Sequence, residues 1–310
     1  MSEQRKKFLV TGATGVVGTY LTHLLLARGH RVRALVHRLD RRSEGLSAVG
    51  AQIVEGDLLD LESVSAATGG VDGAYFSYPI APGLLEATAI FAQAAADNGV
   101  GTIVNMSQKP ARPEAGSNAS RQHWLAERIF DQFPVAATHI KPTLFAEWLV
   151  GFLQDDSTLR LPFADGRHAP ITGEDQAYVV AGILEAPQGH DGKEYPLYGP
   201  VEMNHNEIAE ALSVVLGLTI TYIPISVEEF AQTLTDRGFG AHIVQHLSNV
   251  AIDYRNGVFA GTNDIVETIG KRKPTGVAEF AIRNKEFLVD KKPWVYWSKA
   301  PSRKKDPRSA

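Results

Sequence analysis

The chain has 310 residues, enough for one large domain or two, and its 44% hydrophobic and 21% charged residues match a soluble globular protein with ample material for a core. A net charge of -4 gives no global attraction to nucleic acid or anionic membranes. The absence of cysteine excludes disulfides, thiolate metal sites, iron–sulfur clusters and cysteine nucleophiles together.

Met1 to Lys7 is short and polar, and the apolar run Phe8 to Val10 is too brief for a signal-peptide core or a membrane span, so a cytoplasmic location is expected. From Phe8 to about Val150 short β-rich runs alternate with amphipathic stretches of helical length. Strands are predicted at Lys7–Thr11, Arg31–His37, Ala51–Glu55, Gly73–Ser77, Thr102–Met106 and Ala137–Lys141, with helices at Val16–Arg28, Leu61–Ala67, Leu84–Asn98 and Ser120–Phe133. Parallel neighbours need a crossover, and a helix is what crosses, so this alternation predicts an α/β fold with a doubly wound parallel sheet covered on both faces.

After about Gly151 the rhythm breaks into helices with isolated strand candidates at Glu194–Leu197 and Thr219–Ile223. Helices are predicted at Glu174–Glu185, at His205–Leu216 with Gly217 as its left-handed stop, and after Ser226, where Ser226 to Glu229 has the form of a capping box. The expected organisation is a nucleotide-binding domain over 1–150 that also uses 175–200, a smaller α+β substrate lobe over 151–290, and a basic, solvated tail over 291–310.

The stretch Phe8-Leu-Val-Thr-Gly-Ala-Thr-Gly-Val-Val-Gly-Thr-Tyr places glycines at 12, 15 and 18 between a strand and a helix. Gly12 lets the chain leave the strand, Gly15 lets the backbone approach a pyrophosphate, and Gly18 lets the helix pack on the sheet. The diphosphate would lie on the free N–H groups at the helix start. Where dehydrogenases that take NAD carry an acid, the second strand ends in His37-Arg38. A guanidinium pairs with a 2′-phosphate that a carboxylate would repel, so NADP(H) is expected over NAD(H), unless Arg38 is a loop charge alone. Asp57, in Glu55-Gly-Asp57, could accept from the adenine amino group or cap the helix near Leu61.

These residues resemble the NmrA-like family of atypical short-chain dehydrogenases/reductases across roughly Lys6 to Val289. The resemblance rests on Thr11-Gly-Ala-Thr-Gly-Val-Val-Gly, Arg38, Glu55-Gly-Asp57, Met106-Ser107, His123-x-x-x-Glu127 and Ile140-Lys-Pro-Thr-Leu-Phe-Ala-Glu. It extends to Leu197-Tyr-Gly-Pro-Val-Glu, Glu207-Ile-Ala-Glu with Leu216-Gly, and Ile269-Gly-Lys-Arg-Lys-Pro-Thr. The resemblance implies a Rossmann domain that binds NADP(H) and a C-terminal lobe closing over the nicotinamide. Some members of the family reduce quinones, triphenylmethane dyes or other conjugated acceptors, and others are silent sensors of NADP(H) that regulate a protein partner. The expected nucleotide contacts are Gly12, Thr14, Gly15, Val16, Val17 and Gly18 in the loop. Further contacts are His37, Arg38, Asp57 and Leu58 around the adenosine, and Ser77, Tyr78, Pro79, Lys141 and Pro142 toward the nicotinamide.

Typical short-chain dehydrogenases carry Tyr-x-x-x-Lys on the helix after the fifth strand, and here His123 and Glu127 stand in those places. Four residues apart they share a helix face, so Glu127 could orient His123 as a proton donor, or the two could form a structural pair. Ser107 could bond the cofactor or the acceptor, or end the strand. Phe145, Trp148, Phe152 and Phe163 could wall a site for a flat acceptor or belong to the core. His242 and His246 lack a third ligand, so they read as a surface or core pair and no metal is expected. The leading expectation is an NADPH-dependent oxidoreductase for a quinone-like or other conjugated small molecule, without nucleic-acid or membrane partners and with no oligomeric state implied. The alternatives are a redox-sensing regulator and a tailoring reductase of specialised metabolism.

Overall fold

The structure, a computed structural model, describes residues 5–290, and the expected basic tail at 291–310 lies outside them. The chain alternates β1 (Lys7–Val10), α1 (Val16–Ala27), β2 (Arg31–Val36), α2 (Arg41–Ala48), β3 (Gln52–Glu55), α3 (Leu61–Thr68), β4 (Gly73–Phe76), α4 (Leu84–Asp97), β5 (Thr102–Met106), α5 (Asn118–Phe130) and β6 (Ala136–Pro142). Next come α6 (Trp148–Phe152), β7 (Thr158–Leu161), α7 (Gly173–Glu185) and β8 (Glu194–Leu197). Helix α2 was not expected. Asp40 and Ser43 close a reciprocal capping box at its start, a signal carried by two short polar side chains rather than by hydrophobic periodicity. The cap of α3 is Asp60, which accepts from Ser63 N–H, and not Asp57, which accepts instead from Leu59 N–H.

Seven parallel strands form one sheet in the order β3-β2-β1-β4-β5-β6-β8. The segment Glu194–Leu197, an isolated strand candidate within the stretch 175–200 that the nucleotide-binding domain was expected to use as well, is the sheet's seventh strand and pairs with β6 from His139↔Glu194 to Pro142↔Leu197. Its four residues include Pro196, which an edge position tolerates because one side of the strand needs no ladder bond. Two apolar layers cover the sheet. One gathers Val17, Leu21, Val104, Ile140, Ala177 and Val180 where α1 packs on α7, and the other gathers Phe76, Phe91, Ala126 and Phe130 beneath α3, α4 and α5.

A third cluster lies around β7 and its parallel partner β9 (Thr221–Pro224), with α8 (His205–Leu216), α9 (Val227–Asp236) and α10 (Ala241–Arg255). Short helices α11 (Ile265–Thr268), α12 (Val277–Arg283) and α13 (Lys285–Leu288) follow. Gly217 ends α8 at φ 71°, and Ser226 Oγ accepts from Glu229 N–H at the start of α9. Among the described residues no helix is long and apolar enough to cross a membrane.

Leaving β1, the chain passes through the left-handed region at Gly12 (φ 56°), whose carbonyl accepts from Gly15 N–H at 2.9 Å. A Cβ on Gly18 would fall 2.3 Å from that same carbonyl oxygen. Backbone on backbone cannot yield as a flexible side chain can, so Gly18→Ala should destabilise the fold by about 1–3 kcal/mol. Urea denaturation of both proteins measures this, and an unshifted midpoint would contradict the packing argument.

Candidate active site

The strands run outward in opposite directions from β1 and β4, and open α/β sheets bind ligands in the crevice at the carboxyl ends where that reversal occurs. The glycine loop sits at this crevice. Thr11 Oγ1 donates to Ser77 O at 3.1 Å and accepts from Ser77 N–H at 2.8 Å, which ties the loop to the end of β4. No side chain caps the start of α1 at Gly15, and a Cβ there would meet only Gly12 O, at 3.1 Å. The N–H groups at the start of α1, beside Thr14, Val16 and Val17, thus carry no side-chain cap, and the positive end of the helix dipole lies there, where an anion is favoured.

At the end of β2, His37 and Arg38 are exposed, and His37 Nδ1 stands 4.0 Å from Asp57 Oδ2, near half-buried Leu58. Asp40 is occupied by its own helix and by Arg42, at 2.6 Å. Among the described residues neither Arg38 nor Arg41 has a carboxylate partner. Arg41, the first residue of α2, is a second cation that strand-based reading overlooked because α2 itself was overlooked.

A cleft of about 270 Å³ opens at the carboxyl ends of β4, β5 and β6. Tyr78, Pro79, Phe145, Trp148 and Phe259 supply apolar walls, and Ser107, Gln108, His123 and His246 supply polar groups. No Asp, Glu, Lys or Arg is among its lining residues. Among the described residues Gln108 Nε2 and His123 Nδ1 are buried with no hydrogen-bond partner, which leaves both able to bond a ligand. Sequence reading missed Gln108, and Leu247 and Val250 of α10, which lies far along the chain, and it read His246 as half of a surface or core pair rather than as a cleft residue.

The expected pairing of His123 with Glu127 is not formed. Ser107 Oγ donates to Glu127 Oε1, and Lys141 Nζ lies 3.2 Å from that oxygen. His123 faces the cleft, where burial, helped by the neighbouring His246, pushes its pKa down to about 3. It is thus a neutral imidazole at pH 7 and not an oriented imidazolium acid. Burial, with His242 nearby, brings His246 down to about 4, and its Nδ1 meets Ser117 Oγ at 2.8 Å.

Lys141, expected near the nicotinamide, is not among the residues that line the cleft. Its ammonium bonds Glu194 Oε2 at 2.9 Å and Ala111 O at 3.2 Å as well as Glu127, whereas Pro142 lines the cleft. Glu127 is fully buried, and burial raises its pKa against the opposing pull of the Ser107 bond and the Lys141 charge. Phe145 and Trp148 line the cleft, and Phe163 does not. It stacks on Tyr254 at 4.3 Å and lies tilted against His205 at 4.9 Å in the third cluster, and Phe152 packs there against Phe230.

A model of the NmrA-like family matches residues 4–281. An NAD(P)H azoreductase of Xenophilus azovorans is 29% identical over 278 residues, covering 88% of this chain and 96% of that protein. The fold is shared with an NADPH-dependent quinone oxidoreductase of Escherichia coli complexed with NADPH (TM-score 0.78, 21% identity, 89% of this chain and 99% of that one). It is also shared with the triphenylmethane reductase of a Citrobacter species complexed with NADP(H) (TM-score 0.77, 22% identity, 89% and 99%).

Holding His123 neutral links stability to pH. The unfolded chain protonates this histidine near 6.5 and the folded chain only near about 3, so between those values the unfolded state binds more protons. Stability should therefore be unaffected by this group above pH about 6.5 and fall as pH drops through the window. His123→Gln should flatten that acid limb in urea melts at a series of pH values, and an unchanged slope would overturn the assignment.

Proposed function

The chain belongs to the NmrA-like family, and from that premise we propose that it is a cytoplasmic NADPH-dependent oxidoreductase acting on flat, conjugated acceptors without an anionic group, such as quinones or azo compounds. The observation that carries this reading is the uncharged, aromatic-walled cleft at the sheet edge, contiguous with strand ends that also hold the glycine loop. The azoreductase likeness over most of both chains supports the same class of acceptor.

When bound, NADPH supplies the hydride. The chain's residues hold it in parts. Gly12 to Gly18 and the start of α1 receive the diphosphate, Arg38 and Arg41 the 2′-phosphate, Asp57 and Leu58 the adenine, and Ser77, Tyr78, Pro79 and Pro142 flank the nicotinamide. Ser107 offers its hydroxyl to the acceptor, and Gln108 Nε2 donates a further hydrogen bond to it. A quinone or azo acceptor is activated by conjugation, so hydride transfer needs orientation and access to a proton more than the phenolate chemistry of Tyr-x-x-x-Lys. Bringing a sulfonate or carboxylate into a cleft without a cation costs several kcal/mol, which sets the acceptor class.

The direct test follows the loss of reduced nicotinamide absorbance with a neutral naphthoquinone. If NADPH binds in calorimetry yet neither a quinone nor an azo compound drives its consumption, the oxidoreductase reading falls and a sensor of NADP(H) takes its place. A matched naphthoquinone with a sulfonate on a side chain should be reduced at least about a hundredfold less efficiently in kcat/KM. Equal efficiency would refute the charge argument. Arg38→Ala should weaken NADPH binding at least about tenfold, about 1.4 kcal/mol, and leave NADH nearly unaffected. Equal losses for both would remove Arg38 from cofactor choice.

A further inference from the structure

Reducing a quinone or an azo bond takes a hydride and one proton, and α5 offers no Tyr-x-x-x-Lys pair to supply it, while the hydroxyl of Tyr78 in the cleft wall is donated to Pro82 O at 3.0 Å. We propose that Ser107, Glu127, Lys141 and Glu194 form a proton relay from the cleft to solvent, replacing the Tyr-x-x-x-Lys pair. The relay rests on the oxidoreductase reading above.

The links are contiguous. Ser107 lines the cleft and donates to Glu127 Oε1, Lys141 Nζ sits 3.2 Å from that oxygen, and Glu194 Oε2 is 2.9 Å from Lys141 Nζ. Exposure rises outward along the last three members, from 0% at Glu127 to 12% at the Lys141 side chain and 40% at that of Glu194. The chain of groups thus begins at a buried wall and ends in water.

Each neighbour of Glu127 is accounted for. Ser107 faces it from the end of β5, Lys141 and His139 from β6, Glu194 from β8, and Arg128 from its own helix at 3.6 Å. Arg128 also holds Glu194 Oε1 at 2.7 Å and Asp131 Oδ2 at 3.3 Å, so it fixes the outer end of the relay. The two cleft histidines are poor rivals as acids, because each is held neutral by burial. Glu127 stands between the two ends of the chain of contacts, since the Oε1 that accepts from Ser107 is also the oxygen 3.2 Å from Lys141 Nζ.

The transfer balances. As the acceptor gains the hydride, its oxygen or nitrogen becomes anionic, and the Ser107 hydroxyl turns from Glu127 and gives its proton to that atom. The Ser107 oxygen takes a proton from the Glu127 carboxyl, which has drawn it from the Lys141 ammonium. The resulting amine is refilled from solvent at the Glu194 end. One solvent proton and one hydride from the reduced nicotinamide are consumed, and the four side chains return to their starting states.

The test uses the full-length protein, saturating NADPH and two acceptors that differ in proton demand. A neutral naphthoquinone needs hydride and a proton, whereas N-methylacridinium, a planar cation, becomes a neutral product on hydride addition alone. In Lys141→Met the ratio of quinone to acridinium turnover should fall at least about tenfold, because only one reaction draws on the relay. Ser107→Ala removes a single oxygen and should lower the same ratio, keeping the test available if Lys141→Met does not fold. Single-turnover quinone reduction by the unsubstituted protein should also slow in heavy water. A ratio unchanged in both variants, whether or not the separate rates fall, would overturn the relay while leaving the oxidoreductase intact. Failure of the unsubstituted protein to use either acceptor would remove the oxidoreductase and the relay together.

Discussion

The absence of a side chain between the Gly12 carbonyl and Gly18 is the constraint on which the rest of the molecule is built. It lets α1 start directly against the end of β1, with its N–H groups directed at the crevice. A second close approach occurs where α7 packs on α1. A Cβ on Gly173 would lie 2.3 Å from Val16 Cγ1, so a side chain at the first residue of α7 would have to displace the Val16 side chain beside the glycine loop. Gly173 N–H in turn donates to buried Glu147 at 2.8 Å, which fixes the segment after β6 that carries Phe145 and Trp148 into the cleft wall. The glycine loop, the returning helix α7 and the cleft wall are therefore linked through the Val16 and Glu147 side chains that Gly173 meets.

Electrostatically the site is a neutral cleft with charges set behind its walls. Lys141 is matched by Glu127 and Glu194, and Arg112 by Asp253 at 2.5 Å, whereas Lys109, between the cleft-lining Gln108 and Pro110, lies over the Tyr198 ring at 5.7 Å. An unpaired buried charge would cost several kcal/mol, and pairing lets Lys141 and Arg112 stand close behind an apolar wall. Arg38 and Arg41, which have no carboxylate partner among the described residues, are exposed, where an unpaired guanidinium costs little.

The parts of the protein governed by local pattern were legible in the sequence. Alternating strands and helices predicted the parallel sheet, and the spacing of Gly12, Gly15 and Gly18 placed the loop between β1 and α1. What was misread depended on partners distant in sequence. The spacing of His123 and Glu127 does place them on neighbouring turns, but Ser107 and Lys141 claim the carboxylate from β5 and β6 while the imidazole turns into the cleft. Phe163 has the hydrophobicity of a cleft wall, yet Tyr254 from α10 takes its face. Glu194–Leu197 reads as a strand in a stretch that the first domain also uses, but its pairing with β6 at the sheet edge could not be read from four residues that include a proline.

The cleft also divides its labour along the chain. Its inner side, Tyr78, Ser107 and Pro142, comes from strand ends that also form the nucleotide crevice, whereas His246, Leu247 and Val250 come from α10 in the third cluster. The segment before α5 holds α10 in place. Arg112 grips Asp253 through both carboxylate oxygens, Ser117 bonds His246, and Gln245 accepts from Asn118 N–H and donates to Gly116 O. These contacts fix the α10 side of the cleft, so its two sides are held by different cores: strand ends of the large sheet carry one, and the third cluster carries the other.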